Sequence, residues 1–518
     1  MLLTTLALLT ACEPGIRRVE LQPSDPNVPL TRVLDVRLTR SAPLRIGISD
    51  SRGERVLHVV EAARRHQVPL LGVRSLDEVE LVVTALDQEE HLSYQADGLP
   101  YPFPTLDQLI LEPDRVEPGL RLLPLELADG ELDTAYLVAV DPHLEPVWVW
   151  RAPRQLSAIH PTERGTILTV GGGMVWEVTL LGEVLQQWGE DPSEAVDERR
   201  FTVLEAGTLN HDVVPTEDGG FWTLGTQLVD AAIYPCAYDS PRRGCGRATV
   251  LDGLVLHAGA GGTIEQSWSL AEQLDTFRIS YDALDDKEMG RAKDWAHPNG
   301  VTPHPDGGVV VSLRNQDAVV HLDSDGQLVW SLGDPAGWRA PWSDTLLQPV
   351  GELSWPYHQH GPSFDEHGQL WLFDNHLRGH TPYSPTTGRE WDQTSRVVAY
   401  EIDADERTVR EVAVYEDTAT GPLLSRAVGN AAKLPETGNV LGLYGSVRVE
   451  DGVDNGALGF GLRSTRLVEW SADGSVVSDL RIRSQLSESI HGWRTYTVLP
   501  VPSLYPPGYR LEWLAPAD

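Results

Sequence analysis

The 518-residue sequence predicts an all-β protein, a six-bladed β-propeller preceded by a small fibronectin/immunoglobulin-like β-sandwich. Three observations carry this. Residues 31–118 alternate apolar and polar side chains in short runs. Residues 135–518 repeat one turn-then-strand module. The chain opens on an apolar run that ends in Cys12, as exported proteins do.

The opening, MLLTTLALLTAC, ends Leu9-Thr10-Ala11-Cys12, the Leu-x-small-Cys form of a bacterial lipoprotein signal. On this reading residues 1–11 are the signal peptide, Cys12 carries lipid, and the protein sits in the bacterial cell envelope, periplasmic or at the cell surface. The bland alternative is a buried strand with a chance cysteine, and no Lys or Arg precedes the run. Residues 12–30 carry Pro14, Pro23, Pro26 and Pro29 and read as an extended tether. No apolar run reaches the roughly 18 residues that span a bilayer, so the lipid is the expected membrane contact. Export also favours a disulfide between Cys236 and Cys245, which flank a turn-forming Pro241 and Gly244.

In residues 31–118, Leu34, Val36 and Leu38, then Ile46 and Ile48, then Leu81 and Val83, fall two apart, so each set lines one face of a strand. They form the expected sandwich core. Val56 to His66 reads equally as a helix.

From residue 135 the repeat takes over. Its clearest copy is PHPDGGVVVSLRNQDAVVHLDSDGQLVWSLG, from Pro303 to Gly333. The opening turn recurs with glycines at 165, 219, 307, 368 and 438, and a Gly…Trp ending recurs at Gly182 to Trp188, Gly262 to Trp268 and Gly326 to Trp330. The turn glycines lie farther apart than the roughly 40–50 residues of a plain blade, so the blades carry insertions, the longest between Trp268 and His297. Five openings and one closing blade make six. The closing blade joins the segment around Val147 to Trp150 with the C-terminal HGWRTYTVLP, which hides the sheet edges.

The formal net charge of −35 excludes nucleic acid as a partner and makes any anion site depend on its own local cations. Eight residues before each turn glycine stand Ser157, His211, Asn299, His360 and Asn430. Equivalent positions in a propeller share one channel mouth, so these form a polar ring, with His297, His358, Asn375 and Arg378 close in sequence. A ring of water-holding polar residues would look the same, but five imidazole and guanidinium groups at one mouth point to a ligand site. Other motifs carry less. Gly171-Gly172-Gly173 lacks the spacing and Lys of a phosphate loop. Asp323-Ser324-Asp325-Gly326 is a turn rather than a calcium loop, since the downstream Glu is missing. His358 and His360 face the same way on a strand but have no carboxylate beside them in sequence, so no metal and no cofactor are expected.

DWAHPNG, SLRNQDAVVHLDSDGQLVWSLG, HQHG and LFDNHLRG resemble the bacterial arylsulfate sulfotransferases. The resemblance covers roughly residues 150–500. It implies an exported β-sandwich and six-bladed propeller that moves a sulfuryl group from a phenolic sulfate to a phenol, without a nucleotide donor, through a sulfurylated histidine. A small aryl sulfate or phenol is the implied partner. Matched motif by motif, the implied catalytic residues are His297, with Asn299 beside it, His360 and Arg378; the ring and its sequence neighbours add His211, Asn299, His358, Asn375 and Asn430 as candidate binding residues. One departure stands out. Where the family has its nucleophilic His, this chain reads SRAVGNAAKLPETG with Asn430 in the ring, and no His occurs between His380 and His491. An amide cannot carry a sulfuryl group as imidazole does. Either another His such as His211 serves, or transfer is direct, or the protein is a non-catalytic envelope lipoprotein that binds an aryl or sulfated ligand or a protein.

Overall fold

The computed structural model describes residues 15–127, 134–287, 290–385, 393–450, 453–454, 464–484 and 492–514. Cys12 and the expected signal peptide lie outside these residues. Strands dominate, arranged as one N-terminal sheet and six further sheets.

The N-terminal sheet is built on one long hairpin, Arg32–Asp50 and Gly53–Leu70. The segment that reads equally as a helix, Val56 to His66, is therefore strand. Register shifts between Arg37 and Leu44 interrupt the hairpin ladder. Such irregularities bend a strand pair. The two arms then share one core containing Leu34, Val36, Ile46, Ile48, Leu81 and Val83, the set expected from the alternation. Ile16–Gln22 pairs with the first arm, so strand structure begins inside the span expected to be a tether.

The six remaining sheets are the propeller blades. Their innermost strands are Ile159–Pro161, Asn210–Pro215, Pro298–Pro303, His360–Phe364, Ala431–Lys433 and, in the closing blade, Trp493–Arg494 with Leu499–Val501. The closing blade forms as expected: both C-terminal segments pair with Leu120–Leu127, which leads into Thr134–Val140 and Pro146–Ala152. Strand pairing also crosses the expected boundaries of the two parts. Thr105–Leu111 forms the outer edge of the fifth blade against Val476–Arg483. Tyr509–Trp513 returns from the propeller to pair with Arg55–Val59 of the first sheet. Each exchange covers a sheet edge that would otherwise face water.

The Gly…Trp repeat has a packing cause. Gly182, Gly262 and Gly326 sit in turns with φ of +80°, +75° and +78°. Each turn lies on the Trp that ends the preceding blade. A Cβ on Gly182 would fall 2.8 Å from Trp150, on Gly262 2.5 Å from Trp188, and on Gly326 2.5 Å from Trp268. The blade-to-blade seam therefore requires glycine twice over, for backbone and for contact. Elsewhere the seam is polar. Glu469, fully buried, accepts from Glu117 N, Arg121 Nη2 and Asn439 Nδ2 at 2.6, 2.7 and 2.8 Å, joining the fifth blade to the sixth.

The cysteines form a disulfide, Cys236–Cys245, with Cα atoms 5.8 Å apart. It closes the exposed tip of the Phe221–Pro235 and Gly244–Ala258 hairpin. Among the described residues no helix is long and apolar enough to cross a membrane.

Gly326→Ala tests the seam. Left-handed strain and overpacking against Trp268 together cost about 2–4 kcal/mol, read as a lower urea midpoint at unchanged slope. A variant as stable as the parent would remove the seam argument.

Candidate functional site

Each inner strand begins where the chain crosses one mouth of the channel, and the backbone there is unusual. His211, His297, His358 and Val428 all have positive φ, at 64°, 50°, 55° and 56°. The ladder slips at the same places, between Asn210 and Val213, Pro298 and Gly300, and His360 and Ser363. These bulges aim side chains out of the ladder and into the mouth.

There they line a cavity of about 470 Å³. His211, His297 and His360 border it together with Tyr496, Arg314 and Asp294. The insertion between the second and third blades supplies one wall through Asp282, Asp285, Lys287 and Asp294.

Hydrogen bonds assign the imidazole tautomers. The Tyr496 hydroxyl has one proton and gives it to the Asn299 carbonyl at 2.7 Å. Its contact with His211 Nδ1 at 3.1 Å must then be accepted from Nδ1–H. His211 Nε2 therefore bears a lone pair, and it has no hydrogen-bond partner among the described residues. Burial first, and then neighbouring His297, holds the His211 pKa well below the usual value. His297 lies with its ring centre 4.8 Å from that of His211. Its Nδ1 pairs with Asp294 Oδ2 at 2.8 Å, and its Nε2 also has no hydrogen-bond partner among the described residues. Burial pushes the Asp294 carboxyl up, but His297, Lys287 and Arg314 outweigh it and leave the carboxyl below its ordinary range.

His360 differs. Its Nε2 accepts from Val428 N at 3.2 Å, so Nδ1 carries the proton and donates to Asn375 Oδ1 at 2.6 Å and His358 O at 3.0 Å. Both nitrogens are committed, Nε2 to the fifth blade through Val428 and Nδ1 within the fourth. Burial keeps the ring neutral, with its pKa well below the usual value.

Ser157 also borders the cavity, whereas Arg378, His358, Asn299, Asn375 and Asn430 stand outside the lining. Arg378 lies with its guanidinium carbon 4.4 Å from the centre of the Tyr281 ring. His358 is buried between Asp317 and Asp282, at 2.9 and 3.5 Å. Its pKa is raised, because these carboxylates outweigh the burial that opposes its charge. Asn299 donates to Gln359 O, and Asn375 to Ser425 O and Val428 O. Asn430 donates to Val498 O at 2.9 Å and accepts from Val498 N at 2.8 Å.

The cations at the cavity are ones the motif reading passed over. Arg314, from the SLRNQD turn, donates to Asp282 Oδ2 at 2.8 Å and Asn315 Oδ1 at 2.7 Å. Arg494 forks onto Glu126 at 2.9 and 2.8 Å. Arg426, exposed at the rim, has no ion pair among the described residues. Asp294 was findable, three residues before His297 at the spacing of an orienting carboxylate. Tyr496 was not, because its partners lie far away in the chain.

The arylsulfotransferase (ASST) family model matches residues 126–493. The chain belongs to that family. It is 24% identical over 310 residues to the arylsulfate sulfotransferase AssT of Escherichia coli O6:H1, a match covering 50% of this chain and 47% of that one. The chain thus aligns with about half the length of that curated relative. Among solved structures, a protein of unknown function from Bacteroides caccae is 14% identical, with a TM-score of 0.40 over 74% of this chain and 99% of that one. TolB from Acinetobacter baumannii is 10% identical, with a TM-score of 0.34 over 83% and 81%.

The neutral histidines make the fold acid-sensitive. A group whose folded pKa is depressed contributes full stability above its unfolded value and loses it as pH falls toward the folded value. For His211 the loss begins near pH 6.5; His358, raised instead, acts in the opposite sense. The decline of Tm below pH 6.5 is therefore expected to be shallower in His211→Asn than in the parent. Parallel curves would show that His211 is not held neutral.

Proposed function

We propose that the cavity transfers a sulfuryl group from a phenolic sulfate to a phenol. The observation that carries this reading is the pair of imidazoles, His211 and His297, set 4.8 Å apart on a cavity that Arg314 and Arg426 also line, in a member of the arylsulfotransferase family. A cavity of about 470 Å³ is in the range that encloses a small aromatic ligand. Guanidinium groups suit the three sulfuryl oxygens, and Arg426 can meet them without giving up a carboxylate.

The chemistry needs a proton for the departing phenoxide and a base for the incoming phenol. His297, oriented by Asp294, supplies both at Nε2. Arg378, carried over by resemblance as the sulfuryl-binding cation, is not among the residues that line the cavity, so Arg314 takes that role in this reading. An exported protein held to the envelope by lipid on Cys12 fits the same reading.

Binding without turnover is the second reading, and Asn430 in the place expected for the family's nucleophile favours it. Purified protein given 4-nitrophenyl sulfate and phenol separates the two. Phenyl sulfate should form as nitrophenolate is released, and Arg426→Ala should raise the donor KM about tenfold, the worth of one charge-assisted contact. Saturable donor binding with no phenyl sulfate formed would establish the binding reading instead.

A further inference from the structure

We propose that His211 is the sulfuryl acceptor of this chain, with His297 as its partner acid and base, a division of roles that rests on the transferase reading above.

The geometry selects His211 by elimination and by fit. A nitrogen nucleophile needs a lone pair that faces the substrate and stays unprotonated. His360 spends one nitrogen on Val428 and the other on Asn375. His358 lies behind the wall between two carboxylates. That leaves His211 and His297, each bordering the cavity with Nδ1 engaged and Nε2 without a hydrogen-bond partner among the described residues.

Their Nδ1 partners divide the roles. His297 Nδ1 faces the Asp294 carboxylate at 2.8 Å, the contact that orients a ring for proton transfer at Nε2. His211 Nδ1 faces the neutral hydroxyl of Tyr496, whose own ionisation burial pushes far up. Among the described residues no carboxylate is hydrogen-bonded to His211, and the adjacent His297 opposes its protonation. His211 therefore keeps its Nε2 lone pair, while His297, oriented by Asp294, is the ring placed to pass a proton at Nε2. The Tyr496 oxygen also fits the intermediate, since an Nε2-sulfurylated ring makes Nδ1–H a stronger donor to it.

In the first half-reaction the His211 Nε2 lone pair attacks sulfur, the S–O bond to the phenol breaks, and the phenoxide oxygen takes the proton from His297 Nε2. The products are a phenol and Nε2-sulfohistidine. In the second, His297 Nε2 takes the proton of the acceptor phenol, its oxygen attacks sulfur, and the S–N bond breaks to return the electron pair to His211. No other reagent is consumed.

The full chain is mixed with 4-nitrophenyl sulfate without acceptor, quenched in base, and analysed by intact mass and peptide mapping. The expected result is a burst of nitrophenolate matched by one SO3 group on the peptide containing His211. Nitrophenolate leaves without an acid, so His297→Ala keeps that burst but loses at least about 100-fold in rate with unsubstituted phenyl sulfate, the scale of general acid catalysis. His211→Gly loses the burst with both donors, and added imidazole restores nitrophenolate release while appearing as N-sulfoimidazole, which also shows that the variant is folded. An SO3 group on His297, or turnover that survives His211→Gly without imidazole, overturns this assignment and leaves the transferase reading standing. Absence of both turnover and adduct in the parent overturns both.

Discussion

Everything at the channel mouth depends on closing the ring. The sixth blade has no inner strand until Trp493–Arg494 and Leu499–Val501 pair with Leu120–Leu127, more than 360 residues earlier in the chain. The link between those two segments carries Tyr496, which reaches the Asn299 carbonyl on the third blade and His211 on the second. Closing the propeller and fixing the His211 tautomer are thus one event. A chain with an open sixth blade would lose both the covered edge and the donor–acceptor order at the site. The Gly…Trp seams set how the blades meet, but they act between neighbours; the closing strands act across the whole ring.

Charge is the second constraint. A protein of formal charge −35 is a poor host for a sulfate ester at long range. At physiological ionic strength, exposed charges beyond about 8 Å are largely screened, so the lining decides. Four carboxylates, Glu126, Asp282, Asp285 and Asp294, face four cations, Lys287, Arg314, Arg426 and Arg494. Three of the carboxylates are spent on orienting: Asp282 holds Arg314, Glu126 holds Arg494, Asp294 holds His297. The mouth is therefore near balance while the remaining surface is acidic, and His211, buried there, is held neutral.

The propeller was legible because its turns need glycine for a reason independent of the ligand. The opening-turn glycines at 165, 219, 307, 368 and 438 all have positive φ, which favours glycine at every copy, so the blades could be counted from the sequence. The sandwich core was legible for the simpler reason that a strand alternates. The site was read less well. Counting a constant eight residues back from each turn assumes that strands keep register, yet the ladder slips at the start of the second, third and fourth inner strands. A slip of one residue sends alternate side chains to the other face. In the second and fourth blades the count still lands on the cavity residues His211 and His360, but in the third it lands on Asn299, whose side chain bonds the Gln359 carbonyl, while His297, two residues earlier, borders the cavity. Arg314 was hidden differently. It lies in the turn between the second and third strands of its blade, where the repeat shows only a polar corner. Strand exchange at residues 16–22, 105–111 and 509–513 was invisible because edge pairing leaves no local pattern.

Asn430 shows why the family's chemistry would have to relocate rather than vanish. Its amide offers a donor and an acceptor from one carbon, and both are used on the backbone of a single residue, Val498, like an extra rung of sheet. Imidazole places its nitrogens on different edges of a ring and cannot make that pair of contacts. Position 430 in this chain thus pins the segment just past Tyr496, and Tyr496 in turn orders His211. An imidazole at 430 would gain a nitrogen and lose the clamp that positions another. In blade two, by contrast, the bulge and positive φ already project His211 into the same mouth, against Tyr496 rather than against backbone that must be held. The blade that lacks the histidine is the one that supports the histidine proposed to act.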